Sequence, residues 1–193
     1  MSSVSNPKKP SNKRFFIALI PPLEVQQYAT TLKEHFRDRY HSKAALRSPP
    51  HITLQPPFKW PEDQQPQLLA ALEAFSPPTA QVPINLSGFG AFPPRVIYID
   101  VEQSSELMTL QTALSQYVAE TLDIVDPRSR DRKFCPHLTV AFRDLKPAAF
   151  RKAWPEFQHQ EAEFTFTLKS FVLLIHTGDR WTIHHTFPLT AES

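Results

Sequence analysis

Two stretches of this chain repeat one pattern of residue types, "PHITL" at 50–54 and "PHLTV" at 136–140. Each runs proline, histidine, aliphatic, threonine, aliphatic. In an extended backbone successive side chains alternate between faces, so His51 and Thr53 share one face while Ile52 and Leu54 take the other. His137 and Thr139 share a face against Leu138 and Val140 in the same way. Imidazoles titrate near pH 6.5, so two of them can present one neutral and one protonated ring, the combination that general base and general acid chemistry requires. Threonine hydroxyls are short donors suited to the non-bridging oxygens of a phosphate. No Asp or Glu lies inside either motif and no third histidine sits at ligand spacing, so the pattern favours phosphoryl chemistry without a metal. No metal ligand and no cofactor are expected.

The elements that must position these residues follow from periodicity. "RFFIALIPP" (14–22) reads as a buried strand closed by prolines, and 23–40 as a helix with Leu23, Tyr28, Leu32 and Phe36 on its apolar side. The first motif reads as a short strand over 51–55, because prolines stand on both sides of it. A helix over 62–75 follows, then strands over 82–92 and 95–102. The helix over 104–121 carries Leu107, Leu110, Leu114 and Val118 at helical spacing, with Ser104 or Ser105 as cap. The second motif opens a strand over 136–142, followed by a short helix over 147–154. Segments 163–175 and 181–189 read as a long hairpin across "HTGDR".

Short strands mixed with helices, without a regular strand–helix alternation, predict an α+β fold. The motifs recur 86 positions apart among similar elements, which suggests an internal duplication. The expected architecture is two similar packed lobes, each an antiparallel sheet with helices on its outer face, with the site in the cleft between them. Residues 14–189 are expected to form this single bilobal domain, with tails at 1–13 and 190–193.

Composition sets the outer limits. With 21 basic and 19 acidic residues the net charge is +2, too small to attract a long nucleic acid by itself, although basic residues grouped in a cleft could hold a phosphate. Cys135 is the single cysteine, which rules out an internal disulfide and fits a reducing compartment. The first fourteen residues are polar and basic, and "FFIALI" is too short for a membrane span or a signal-peptide core. A cytoplasmic monomer that does not engage a membrane is the expectation.

The paired His-x-Thr-x-aliphatic signatures resemble those of the two-histidine phosphoesterase superfamily, which includes the bacterial and archaeal 2'-5' RNA ligase and RNA 2',3'-cyclic phosphodiesterase proteins. "RFFIALIPP" is similar to that family's first strand and "SGFGAFPPRVIYIDVE" to its middle segment, so the resemblance covers roughly 14–189. It implies an enzyme whose partner is a nucleotide or an RNA terminus carrying a cyclic phosphate. His51 would protonate the departing ribose oxygen, His137 would activate water, and Thr53 and Thr139 would hold phosphate oxygens. Reversible 2'-5' ligation would exchange the acid and the base. The continuation "QPPFKW" after the first motif differs from the Phe-Leu-Gly type of many of those enzymes, which keeps small cyclic nucleotides open as substrates. A catalytically silent nucleotide or RNA binder that uses the same cleft is the alternative.

Three further residues are candidates for substrate contact. Arg130 and Arg132 lie in the basic segment "DPRSRDRKFCPH" (126–137), which reads either as a solvated loop or as a flap that meets ribose phosphates. Phe58 could stack on a base, though in a chain with 15 phenylalanines core packing is the default. His176, His184 and His185 read as surface or packing residues.

Overall fold

The computed structural model describes residues 11–127 and 133–190. Its eight strands are β1 (Asn12–Leu19), β2 (Ile52–Pro61), β3 (Val82–Phe92), β4 (Val96–Val101), β5 (His137–Ala141), β6 (Phe164–Leu168), β7 (Ser170–His176) and β8 (Trp181–Pro188). Four α-helices, α1 (Leu23–Tyr40), α2 (Gln65–Glu73), α3 (Ser105–Leu122) and α4 (Pro147–Phe157), lie between them. The fold is α+β, with a curled antiparallel sheet and helices packed on its face. Where two sheets were expected there is one, in the order β6-β3-β4-β5-β2-β1-β7-β8. A single antiparallel pair, Ile52 with Leu138, joins the motif strands at its centre, and that pair makes the ladder continuous.

Alternation along the strands sorts side chains into two layers. Phe15, Ile17 and Leu19 of β1, Ile52 and Leu54 of β2, Ile97 and Ile99 of β4, and Leu138 and Val140 of β5 enter the main core with the buried faces of the helices. Phe16 and Ala18 point the other way and join Val172 and Leu174 in a second, smaller apolar cluster against Trp181. Both histidines of the motifs therefore lie on the face away from the main core.

Helix α3 follows its predicted stripe, with Leu107, Leu110, Leu114 and Val118 buried and the Ser104 hydroxyl accepting the Leu107 N–H at 3.3 Å. Helix α1 does not follow its own. Its buried side is Val25, Ala29, Lys33, Phe36 and Tyr40, while Leu23 is 68% exposed. A lysine in the middle of the stripe hides the period from a count of apolar residues.

Strand β2 runs past its prolines to Pro61, where a stop after 55 was expected. In the ladder with β1, Phe15 faces Phe58 and Ile17 faces Gln55, so Pro56 and Pro57 together stand opposite Phe16 in a bulge. A bulge removes the demand for a ladder N–H, which is why prolines are tolerated there. The expected strand over 163–175 is two strands. Half-exposed β6 pairs with β3 at one edge of the sheet, whereas buried β7 lies between β1 and β8, so only β7 and β8 form the hairpin. Among the described residues no helix is long and apolar enough to cross a membrane. The expected tails lie almost wholly outside the described residues, and β1 begins at Asn12, inside the first of them.

Candidate active site

The central pair Ile52–Leu138 sets the geometry. Carried one step in each direction, its antiparallel register puts His51 opposite Thr139 and Thr53 opposite His137, all four on the face away from the main core. Each imidazole is held by the same local contact. Nδ1 of His51 donates to the Pro49 carbonyl and Nδ1 of His137 to the Cys135 carbonyl, both at 2.7 Å. A carbonyl oxygen can only accept, so Nδ1 carries the hydrogen and Nε2 keeps its lone pair for the cleft. The proline between carbonyl and histidine, Pro50 or Pro136, is buried in both copies and fixes the backbone angle across which that contact is made. The Thr53 and Thr139 side chains are half-buried and make no hydrogen bond among the described residues, so both hydroxyls are open to a ligand.

The two rings differ in their surroundings. His51 packs against Phe16, centroids 4.8 Å apart, and its burial pushes the imidazole down to about 4, with the charges of Lys33 and His137 acting the same way against the Pro49 hydrogen bond. His137 packs against the rings of both Phe92 and Tyr98, at 5.1 and 5.0 Å. Burial lowers its pKa too, but the Cys135 carbonyl and the charge of Asp100, its cross-strand partner on β4, both oppose that shift. Both rings are therefore neutral near pH 7, and His137 accepts a proton more readily.

Three residues of this site were not singled out in the sequence. Asp100 was legible only as the polar side of an alternating strand; its place opposite His137 depends on register. Lys33 is 2% exposed, and its Nζ donates to the Ser48 carbonyl at 3.0 Å, just ahead of the first motif. Burial lowers its pKa to about 7. Gly90 lies opposite Tyr98 across β3 and β4, and a Cβ there would run into the Tyr98 ring that packs on His137. Gly90→Ala is therefore expected to displace that ring, cost about 1–3 kcal/mol in denaturant unfolding, and lower kcat roughly tenfold. Paired with Tyr98→Ala in a double-mutant cycle, the two losses should not add.

Phe58 faces Phe15 across the ladder and stacks on it in the main core, centroids 6.1 Å apart, so it is not beside the histidines. The bulge at Pro56 and Pro57 sets that orientation. Arg130 and Arg132 lie outside the described residues. Among the described residues no group of three His, Cys, Asp or Glu is placed to hold a metal ion.

A curled antiparallel sheet with a His-x-Thr strand on each side of its central junction defines the two-histidine class of phosphoesterases. The model of the 2'-5' RNA ligase superfamily matches residues 21–180, and the chain belongs to that family. A protein of Geobacillus kaustophilus named as a candidate phosphoesterase is 32% identical over 178 residues, which span 90% of this chain and 95% of its own. Among solved structures, TT0787 of Thermus thermophilus superposes with a TM-score of 0.67 at 24% identity, covering 93% of this chain and all of its own. Escherichia coli LigT complexed with 3'-AMP gives a TM-score of 0.66 at 20% identity, covering 93% and 99%. Sequence and fold thus assign an enzyme of the two-histidine, 2'-5' RNA ligase-like type.

Proposed function

We propose that this protein hydrolyses 2',3'-cyclic phosphates of nucleotides or RNA ends to 2'-phosphates without a metal, and that reversible 2'-5' ligation follows the same path with a 5'-hydroxyl attacking phosphorus in place of water. The observation that carries this reading is the twin geometry: two neutral imidazoles, each with Nδ1 held by the carbonyl two residues back, flanked by two hydroxyls, with neither Nε2 nor either hydroxyl partnered among the described residues. We read the sheet as two related halves, β2-β1-β7-β8 and β5-β4-β3-β6, each contributing one histidine and one threonine. LigT has been crystallised with 3'-AMP, phosphate, NADP+ and ATP, which supports a nucleotide phosphate as the ligand class.

In this mechanism Nε2 of His137 takes a proton from water while the water oxygen attacks phosphorus. The bond from phosphorus to the 3' oxygen breaks in line, and Nε2–H of His51 gives that oxygen its proton. Thr53 and Thr139 donate to the non-bridging oxygens as charge builds on them. Asp100 stabilises the imidazolium that forms on His137, as the carboxylate of a catalytic triad does for its histidine. A phosphate anion about 4 Å from His51 is worth about 4 kcal/mol at an effective dielectric of 20, roughly three pK units. That raises His51 from about 4 into the neutral range once substrate is bound. Arg130 and Arg132, in the segment leading to the second motif, are proposed to meet the substrate at the cleft entrance.

The test is product polarity. Cyclic nucleotides, RNA with a 2',3'-cyclic end and 2'-5' linked oligonucleotides are incubated in excess chelator, and products are resolved against 2'- and 3'-phosphate standards. A 2'-phosphate is expected. A 3'-phosphate would reverse the acid and base assignment, activity that requires an added divalent ion would overturn metal independence, and binding of nucleotides without turnover would favour the silent binder.

A further inference from the structure

The Trp181 end of the histidine face carries an arginine cluster that the reaction above does not use. Trp181 meets Phe16 edge-on at 4.7 Å, and Phe16 in turn packs on His51, so this end adjoins the reacting centre. His176 packs edge-on against Trp181 at 4.9 Å, and the Arg14 guanidinium lies over the same indole at 5.6 Å. Trp181, Arg47 and Arg180 line a cavity of about 410 Å³ that reaches Ser48 and Pro49, directly ahead of His51. Arg14, Arg47 and Arg143 all act electrostatically on His176, against one carboxylate, Asp179.

Among the described residues Arg14, Arg47 and Arg143 make no ion pair, and Asp179 is already bridged to Arg180 at 3.4 Å. The neighbouring acid, Asp144, is fully engaged: its carboxylate accepts from the Ser42 hydroxyl at 2.8 Å and from the Lys43 and Ala44 N–H groups at 3.0 Å. Those bonds tie the segment leading to Arg47 to the turn that carries Arg143. Arg143 itself is held at φ 67, a left-handed conformation that costs a non-glycine residue energy and persists only where the surroundings enforce it. Three arginines without an ion pair among the described residues, held on braced segments, suit the several oxygens of a phosphate ester.

We propose that Arg14, Arg47 and Arg143, grouped around His176 and Trp181, bind a second phosphate of the substrate, the one on the 5' side of the ribose whose cyclic phosphate lies at the histidines. The preferred substrate is then a cyclic nucleotide carrying a 5'-phosphate, or an RNA end whose preceding linkage supplies that phosphate. This rests on the cyclic phosphate reading of the histidine site.

The experiment compares ligands that differ only in the 5' group. Adenosine 2'-phosphate and adenosine 2',5'-bisphosphate are titrated calorimetrically into the wild type and the Arg47→Ala, Arg143→Ala double variant, and kcat/KM is measured for adenosine 2',3'-cyclic phosphate with and without a 5'-phosphate. In the wild type the 5'-phosphate should tighten binding and raise kcat/KM at least tenfold, with a steeper salt dependence. In the double variant both ratios should fall to within about twofold of one. A dinucleotide ending in a cyclic phosphate separates the two sources: a gain there points to an RNA strand, a gain confined to the 5'-monophosphate to a mononucleotide. A wild-type ratio near one, or a ratio undiminished in the double variant, overturns the proposal. A protein that turns over no cyclic phosphate but keeps the calorimetric ratio loses the hydrolase reading and retains this site, whereas a hydrolase with a ratio of one loses this site alone.

Discussion

Alanine at His51 or at His137 is expected to lower kcat on a 2',3'-cyclic nucleotide by about 10²–10⁴-fold while changing KM by only a fewfold. General acid and general base contributions are of that size, and proton transfer is an interaction gained in the transition state rather than on binding. The two substitutions together should cost little more than either alone, because removing one ring already interrupts the concerted transfer. Thr53→Ala and Thr139→Ala should each be milder, since water can replace one donor. Equal product yields from wild type and both histidine variants, after circular dichroism shows that each is folded, would remove these rings from the chemistry.

Acid should destabilise the fold through His51. The ring titrates near 6.5 in an unfolded chain and about 4 in the folded protein, so between those values the unfolded state binds the extra proton. Stability attributable to this ring is therefore fully present above pH 6.5 and is lost as the pH falls toward 4, by about 3 kcal/mol in total. Burial of His137 pushes the same way. Lys33, also lowered, acts in a separate window between about 7 and its ordinary value of 10.5, where stability falls as the pH falls because the unfolded amine takes up its proton first. Urea unfolding at pH 7 and pH 4 should show the acid loss shrink by about 3 kcal/mol in His51→Gln. An unchanged difference would mean that His51 is not desolvated. The same ring should separate the kinetic profiles: the alkaline limb of kcat, set in the substrate complex, should lie well above that of kcat/KM, set in the free enzyme.

How far the site was readable depended on how local its determinants are. His51, Thr53, His137 and Thr139 stood out because a two-residue period fixes which side chains share a face, and because the pattern occurs twice. The stripe on α3 was readable for the equivalent reason at helical spacing. Asp100 and Gly90 owe their places to cross-strand register, which local pattern does not specify. Lys33 was concealed because a charge on a buried helix face contradicts the usual sorting, and it is tolerated there by its bond to the Ser48 carbonyl. The division between β6 and β7 was visible in retrospect: "FTFTL" alternates like an edge strand, and "FVLLI" is continuous like a strand buried on both faces. The arginine cluster draws on positions 14, 47 and 143, far apart in the chain, so no local motif announces it.

The pairing of β1 with β7 has a consequence for synthesis of the chain. Phe15 pairs with Ile175, 160 positions later, and β1 is buried from Phe15 to Leu19. At a translation rate of 5–20 residues per second, on the order of ten to thirty seconds separate the two strands' emergence. Throughout that interval one edge of a strand whose Phe15–Leu19 stretch is wholly apolar lacks its partner, the condition under which strands recruit other chains. β1 is completed only by a strand made 160 positions later, so the nascent chain has to be shielded until β7 arrives.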